Sequence, residues 1–203
     1  LIGYWGFTNV TKNWNWKDAD QKPVQVAVFS NGDEVELIQN GTSVGKLTSG
    51  TRLAADLPHS FLFDLTYLPG TLEAVSYKDG KEISRDTLVT TGPAKELRLI
   101  QEKKELSANG HEVAYVCVEI VDENGIVVPD VALRLSAAVE GVGSLAAFGS
   151  ANPITDENYT SGTFTSYHGT ATAIIRSGYQ TGMCTLTVGC EGLDEKKIAF
   201  TIK

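Results

Sequence analysis

The sequence predicts an all-β protein built as two consecutive immunoglobulin-like β-sandwich domains. Three observations carry that reading. Apolar residues alternate with polar ones at Val35 and Leu37, between Glu34 and Glu36, and again at Ala114, Val116, Val118 and Ile120. Such a period of two marks a strand buried on one face. Turn signals fall between these runs at Asn40-Gly41, Asp79-Gly80 and Glu123-Asn124-Gly125, and they hold residues that tolerate positive φ. The composition, with 20 Gly and 1 Met, lacks the Ala-, Leu-, Glu- and Lys-rich runs that favour helix.

Residues 1–16 hold all three tryptophans, Trp5, Trp14 and Trp16. Trp14 and Trp16 stand at i and i+2, so on a strand they share a face. The favoured role is to cap or fill the edge of the sandwich. The functional alternative is that Trp14 or Trp16 stacks on the apolar face of a sugar ring. Val24 to Phe29 is a first strand. Asn31-Gly32 is read as a turn into Glu34 to Gln39, and Asn40-Gly41 as a turn into Thr42 to Lys46, which makes a three-stranded meander. Phe61 to Asp64, Thr71 to Lys78 and Glu82 to Val89 follow. Roughly six or seven strands before Thr91 match an immunoglobulin-like sandwich. Pro58 and Pro69 sit in connections, where a missing N–H costs least. Thr90-Thr91-Gly92-Pro93-Ala94 is a short linker stiffened by proline, which sets the domains at 1–92 and 93–203. The second half opens at Leu97-Arg98-Leu99 and continues through a polar connection, Glu102 to Gly110. Glu112 to Asp122 is its longest strand. Val131, Leu133 and Leu135 alternate, Gly141 to Gly149 is rich in Gly and Ala, and Gly169 to Arg176, Met183 to Cys190 and Lys197 to Ile202 complete the fold.

Charge narrows the function. With 17 basic and 25 acidic residues the formal net charge is −8, which argues against nucleic acid, whose binding needs a basic patch, and against an anionic membrane. No run approaches the ~18 apolar residues that span a bilayer. The start, Leu1-Ile2-Gly3, has no basic segment ahead of an apolar core, so it is not a signal peptide. It reads as part of a longer polypeptide whose export signal, for a periplasmic or secreted location, would lie upstream. Cys117, Cys184 and Cys190 are odd in number. Cys184 and Cys190 fall on one strand about 20 Å apart, beyond disulfide reach. Cys117 could meet either of them across a sandwich, but buried free thiols are favoured. His59, His111 and His168 show no metal-ligand spacing, and no phosphate loop is present. Asn152 to Asn158 is a conceivable calcium loop at Asp156 and Glu157, but without the usual periodicity a polar turn is favoured. The expectation is therefore no metal and no cofactor. Asn9-Val10-Thr11, Asn40-Gly41-Thr42 and Asn158-Tyr159-Thr160 match the glycosylation triplet.

The stretch Ser30-Asn31-Gly32-Asp33-Glu34-Val35-Glu36-Leu37, continued to Asn40-Gly41 and Gly45-Lys46, resembles the β-sandwich that follows the catalytic barrel in family 2 glycoside hydrolases, the β-galactosidase-like enzymes. Trp14-Asn15-Trp16 matches the opening of that domain, and Tyr67 to Val75 with Tyr77 to Lys81 its closing strands. Residues 1–13 fit the family less well. Downstream, Ala114 to Val131, Gly149 to Pro153, Glu157 to Phe164 and Gly169 to Arg176 resemble the C-terminal sandwich of the same enzymes, with Phe148 to Pro153 departing mildly from the family pattern. The resemblance implies a parent that cleaves glycosidic bonds with two glutamates on its barrel, upstream of this segment. No residue here matches them, so no catalytic residue is expected. The segment would then support the barrel, shape access to it or form subunit contacts. Its expected partners are the catalytic barrel of the parent chain, a carbohydrate, or a second copy in a homo-oligomer. The rival readings are a carbohydrate-binding module using Trp14, Trp16, Tyr159 or Tyr167, and a bacterial adhesin stalk of tandem immunoglobulin-like domains.

Overall fold

The computed structural model describes residues 10–48 and 59–203. Trp5, Pro58, Asn9 and the rest of the opening stretch before Val10 lie outside the described residues. The chain divides into two compact units, Leu1–Thr90 and Thr91–Lys203. Among the described residues all regular structure is strand.

The first unit holds β1 (Pro23–Phe29), β2 (Glu34–Gln39), β3 (Thr42–Thr48), β4 (Ser60–Thr66), β5 (Thr71–Lys78) and β6 (Lys81–Val89). A four-stranded antiparallel sheet runs β3-β2-β5-β6, and β1 pairs with β4. Val35 and Leu37 of β2, Leu72 of β5, and Phe61 and Phe63 of β4 pack into one core, flanked by Val24, Val26 and Val28 of β1. The alternation at β2 therefore does what a period of two requires: Val35 and Leu37 are fully buried, while Glu34 and Glu36 take the other face.

The meander expected of the first three strands is corrected. β1 does not pair with β2; its partner is β4, while β2 lies between β3 and β5. The reason lies in residues 30–33. Ser30 donates its N–H to the His59 carbonyl at 2.9 Å, and Asp33 donates to the Tyr77 carbonyl at 2.8 Å. The chain thus passes here from one sheet to the other. Neither Asn31 nor Gly32 adopts positive φ. Gly32 answers a different need, because a Cβ there would sit 2.7 Å from the Tyr77 carbonyl oxygen. The other two dipeptides are hairpin turns as expected: φ is 50° and 78° at Asn40 and Gly41, and 50° and 73° at Asp79 and Gly80. Both residues of each pair take the left-handed region that a two-residue hairpin demands.

The second unit holds β7 (Glu96–Gln101), β8 (Glu105–Leu106), β9 (Val113–Val121), β10 (Arg134–Gly141), β11 (Gly143–Gly149), β12 (Thr163–Thr165), β13 (Thr170–Ser177), β14 (Gly182–Cys190) and β15 (Leu193–Ile202). One sheet runs β11-β13-β9-β7, the other β12-β10-β14-β15-β8. Ala114, Val116, Val118 and Ile120 of β9 are fully buried on one face, against Phe148, Phe164 and Phe200 within the same core. The stretch Glu102 to Gly110, read as a connection, contains β8, which pairs parallel with β15 and buries Leu106. The Gly- and Ala-rich stretch is itself a strand, β11, whose register slips between Leu145 and Ala147. That bulge hides the alternation a strand would otherwise show. The linker reading also shifts. The Gly92 N–H donates to Asp122 Oδ2 at 2.9 Å, and Lys95 donates to the Val121 carbonyl. These bonds place Gly92 with the second unit. Burial pushes the Asp122 carboxyl up, but the N–H groups of Ile126, Gly92 and Asn124 outweigh it and hold it below its ordinary value.

Candidate functional site

The segment Val10 to Asp20 takes its shape from Tyr67. The Tyr67 hydroxyl donates to the Trp14 carbonyl at 3.0 Å and accepts the Trp16 N–H at 3.3 Å. Thr90 adds a second donor to the Trp14 carbonyl at 2.7 Å. The Trp16 carbonyl then accepts the Ala19 N–H, so the chain turns at this point and forms no strand. The shared face expected of Trp14 and Trp16 is therefore corrected. Trp14 is 3% exposed and packs at 4.8 Å from the Tyr67 ring, its indole N–H donating to the Leu68 carbonyl. Buried in this way, Trp14 has no ring face to offer a sugar. Trp16 is 42% exposed, and its indole N–H donates to the Asn13 carbonyl at 3.1 Å. That bond holds an open aromatic surface in one orientation, which lowers the ordering cost of stacking a ligand on it. Tyr67, the residue that organises this corner, was not singled out from the sequence. Its signal was a tyrosine directly after the apolar strand β4, since a buried hydroxyl needs partners.

The acidic side chains of the first unit form a lattice on the outer face of the β3-β2-β5-β6 sheet. Lys46 pairs with Glu34 at 2.5 Å and lies 4.1 Å above the Tyr77 ring. Tyr77 donates to Glu36 at 3.3 Å. Arg85 pairs with Glu73 at 2.6 Å and with Glu82 through two bonds. Hydrogen bonding from Ser43 holds the Glu36 carboxyl below its ordinary value, and Arg85 does the same for Glu82. In the second unit, Glu112 is drawn down to about 2 by the Ser107 N–H and hydroxyl and by Lys103. Carboxylates held as anions in this way suit surface pairing. A general acid needs the opposite shift.

The histidines lie apart. His111 meets Tyr179 edge-on, with ring centroids 6.4 Å apart. His168 shares a hydrogen bond with the Pro129 carbonyl, and His59 supplies the carbonyl bonded by Ser30. Among the described residues no group of three or more His, Cys, Asp or Glu side chains could hold a metal ion. In the stretch Asn152 to Asn158, Asn152 accepts the Ile154 N–H, while Glu157 engages Arg134 and Thr165, the arrangement of a polar turn. The three thiols are free, with Cys184 buried and Cys117 and Cys190 half-buried. Burial raises the pKa of each.

Comparison with known proteins matches both units. The signature of the glycoside hydrolase family 2 C-terminal domain 5 covers residues 97–199, and a domain of unknown function, DUF4982, covers residues 21–84. A β-galactosidase of Bacteroides ovatus is 28% identical over 181 residues, which is 89% of this chain and 21% of that protein. A β-galactosidase of Thermoanaerobacter pseudethanolicus is 33% identical over 144 residues, 66% of this chain and 19% of that protein. The crystal structure of a glycosyl hydrolase family 2 member from Bacteroides cellulosilyticus superposes with a TM-score of 0.91 at 30% identity, over 98% of this chain and 25% of that one. The chain spans about a fifth of the length of the curated relatives it matches.

Proposed function

Because this chain belongs to the glycoside hydrolase family 2 C-terminal domain 5 family, we propose that it is a non-catalytic segment of a β-galactosidase-like enzyme, where it supports the catalytic barrel and shapes access to it. The observation that carries this reading is order. Two domain signatures follow one another in this chain, at 21–84 and 97–199, and a family 2 hydrolase structure covers 98% of the chain as a quarter of its own length. The chemistry agrees. Glu34 and Glu73 are paired with Lys46 and Arg85, and Arg85 holds the Glu82 carboxyl toward the anion, whereas hydrolysis needs one carboxyl held protonated beside a second that stays ionised. Trp16 adds a contact with sugar at the mouth of the parent's site.

Hydrolysis locates the chemistry. The 203-residue chain should leave aryl galactosides at the buffer rate, and the parent enzyme should cleave them. Turnover by the chain alone, abolished when a carboxylate within it is changed, would overturn the proposal.

A further inference from the structure

The two outer faces of the second unit differ. On the β10-β14-β15 side the residues facing away from the core include Arg134, Ser136, Glu140, Thr185, Thr187 and Lys197, as their register and exposure require. On the other side two cross-strand rows carry no charge. Ile100, Cys117 and Thr172 form one row across β7, β9 and β13, which ends at β11 on Gly149, a buried residue beside the Tyr159 ring. Tyr115, Ile174 and Ala147 form the next. Ile100 and Tyr115 are each 48% exposed, and none of these side chains belongs to the core cluster. The stripe is bounded by the Arg98–Glu119 ion pair, at 2.7 Å, on one side and by Arg176 on the other. With strands about 4.8 Å apart and alternate residues about 6.8 Å apart, the stripe covers about 200 Å². A patch that joins two half-exposed large side chains, Ile100 and Tyr115, across neighbouring strands offers apolar surface that a partner can cover.

We infer that this stripe is the docking face for the remaining polypeptide of the parent glycoside hydrolase, an inference that rests on the function proposed above. Two observations choose that occupant. The chain is about a fifth of the length of its curated relatives, so the parent supplies a large tethered body at high effective concentration. Each copy of the chain carries a net charge of −8, so a second copy would have to approach against like charge.

Thr172 and Ala138 are both exposed, on opposite outer faces. Thr172→Cys and Ala138→Cys are made in this chain and in the parent, and maleimide labelling of each site is followed by peptide mapping. In the chain the two sites should label at similar rates. In the parent, Thr172→Cys should label slower by on the order of tenfold, as a covered site does, and Ala138→Cys should keep its rate. Equal labelling of Thr172→Cys in chain and parent overturns the proposal. Protection that appears in the chain alone and grows with its concentration assigns the stripe to a second copy and also overturns it. Oxidative footprinting of Tyr115 in the unsubstituted proteins gives the same comparison without a variant. Hydrolysis of an aryl galactoside by the same parent preparation separates the two claims. An active parent with an open stripe defeats the docking face alone, and an inactive one defeats the functional reading beneath it.

Discussion

Trp14 and Trp16 stand two positions apart, yet one is 3% and the other 42% exposed. The difference comes from Tyr67, whose hydroxyl bonds the backbone at both residues, so that the two do not stand on a strand. Nothing local announces this, because the controlling residue lies 53 positions away from Trp14. The residues therefore suggested a common face, and only the tertiary contact separates them. Their variants should part in the same way. Trp14→Ala should cost roughly 3–5 kcal/mol of stability, the usual loss for a truncated core aromatic, measured by denaturant unfolding of the chain. Trp16→Ala should leave that stability nearly unchanged and raise KM in the parent, with kcat falling less, because stacking binds ground and transition states alike. An unaltered KM in the Trp16→Ala parent would remove the sugar contact from the account.

Among the elements, legibility followed alternation and turn chemistry. β2, β9, β13 and β14 could be read because their buried faces recur every second residue. β8 and β12 could not, since 2 or 3 residues carry no period. The partner of β1 was misread because a glycine at a close backbone approach looks, in sequence, like a glycine in a turn. The two genuine hairpins offer a clean test. A Cβ at Gly41 or Gly80 would meet nothing within 4 Å, while φ is 78° and 73°. The cost of substitution is therefore backbone strain without a clash. Gly41→Val and Gly80→Val should each lose on the order of 1 kcal/mol or more, since a β-branched residue fits positive φ badly. Thermal unfolding of the two variants measures this, and an unchanged Tm in both would contradict the hairpin geometry.

At the scale of the molecule, two units follow one another, each with its own set of turns and strands, and two domain signatures match residues 21–84 and 97–199. The apolar stripe of the second unit was not legible in the sequence. Its members come from β7, β9, β13 and β11, and only the cross-strand register brings them together. In the sequence Tyr115 and Cys117 simply alternate with the buried residues of β9, so the pattern showed which face is core and left open what the other face does. Lattices such as Glu34–Lys46 and Arg85–Glu73 contribute little individually at a surface, so the value of the segment to its parent should come from the apolar area it covers. The measurement that bears most directly on this compares the parent enzyme with and without the segment, following aryl galactoside hydrolysis as temperature is raised. The account predicts that the shortened enzyme still turns over at low temperature and is inactivated several degrees below the whole one; equal heat resistance of the two would contradict it.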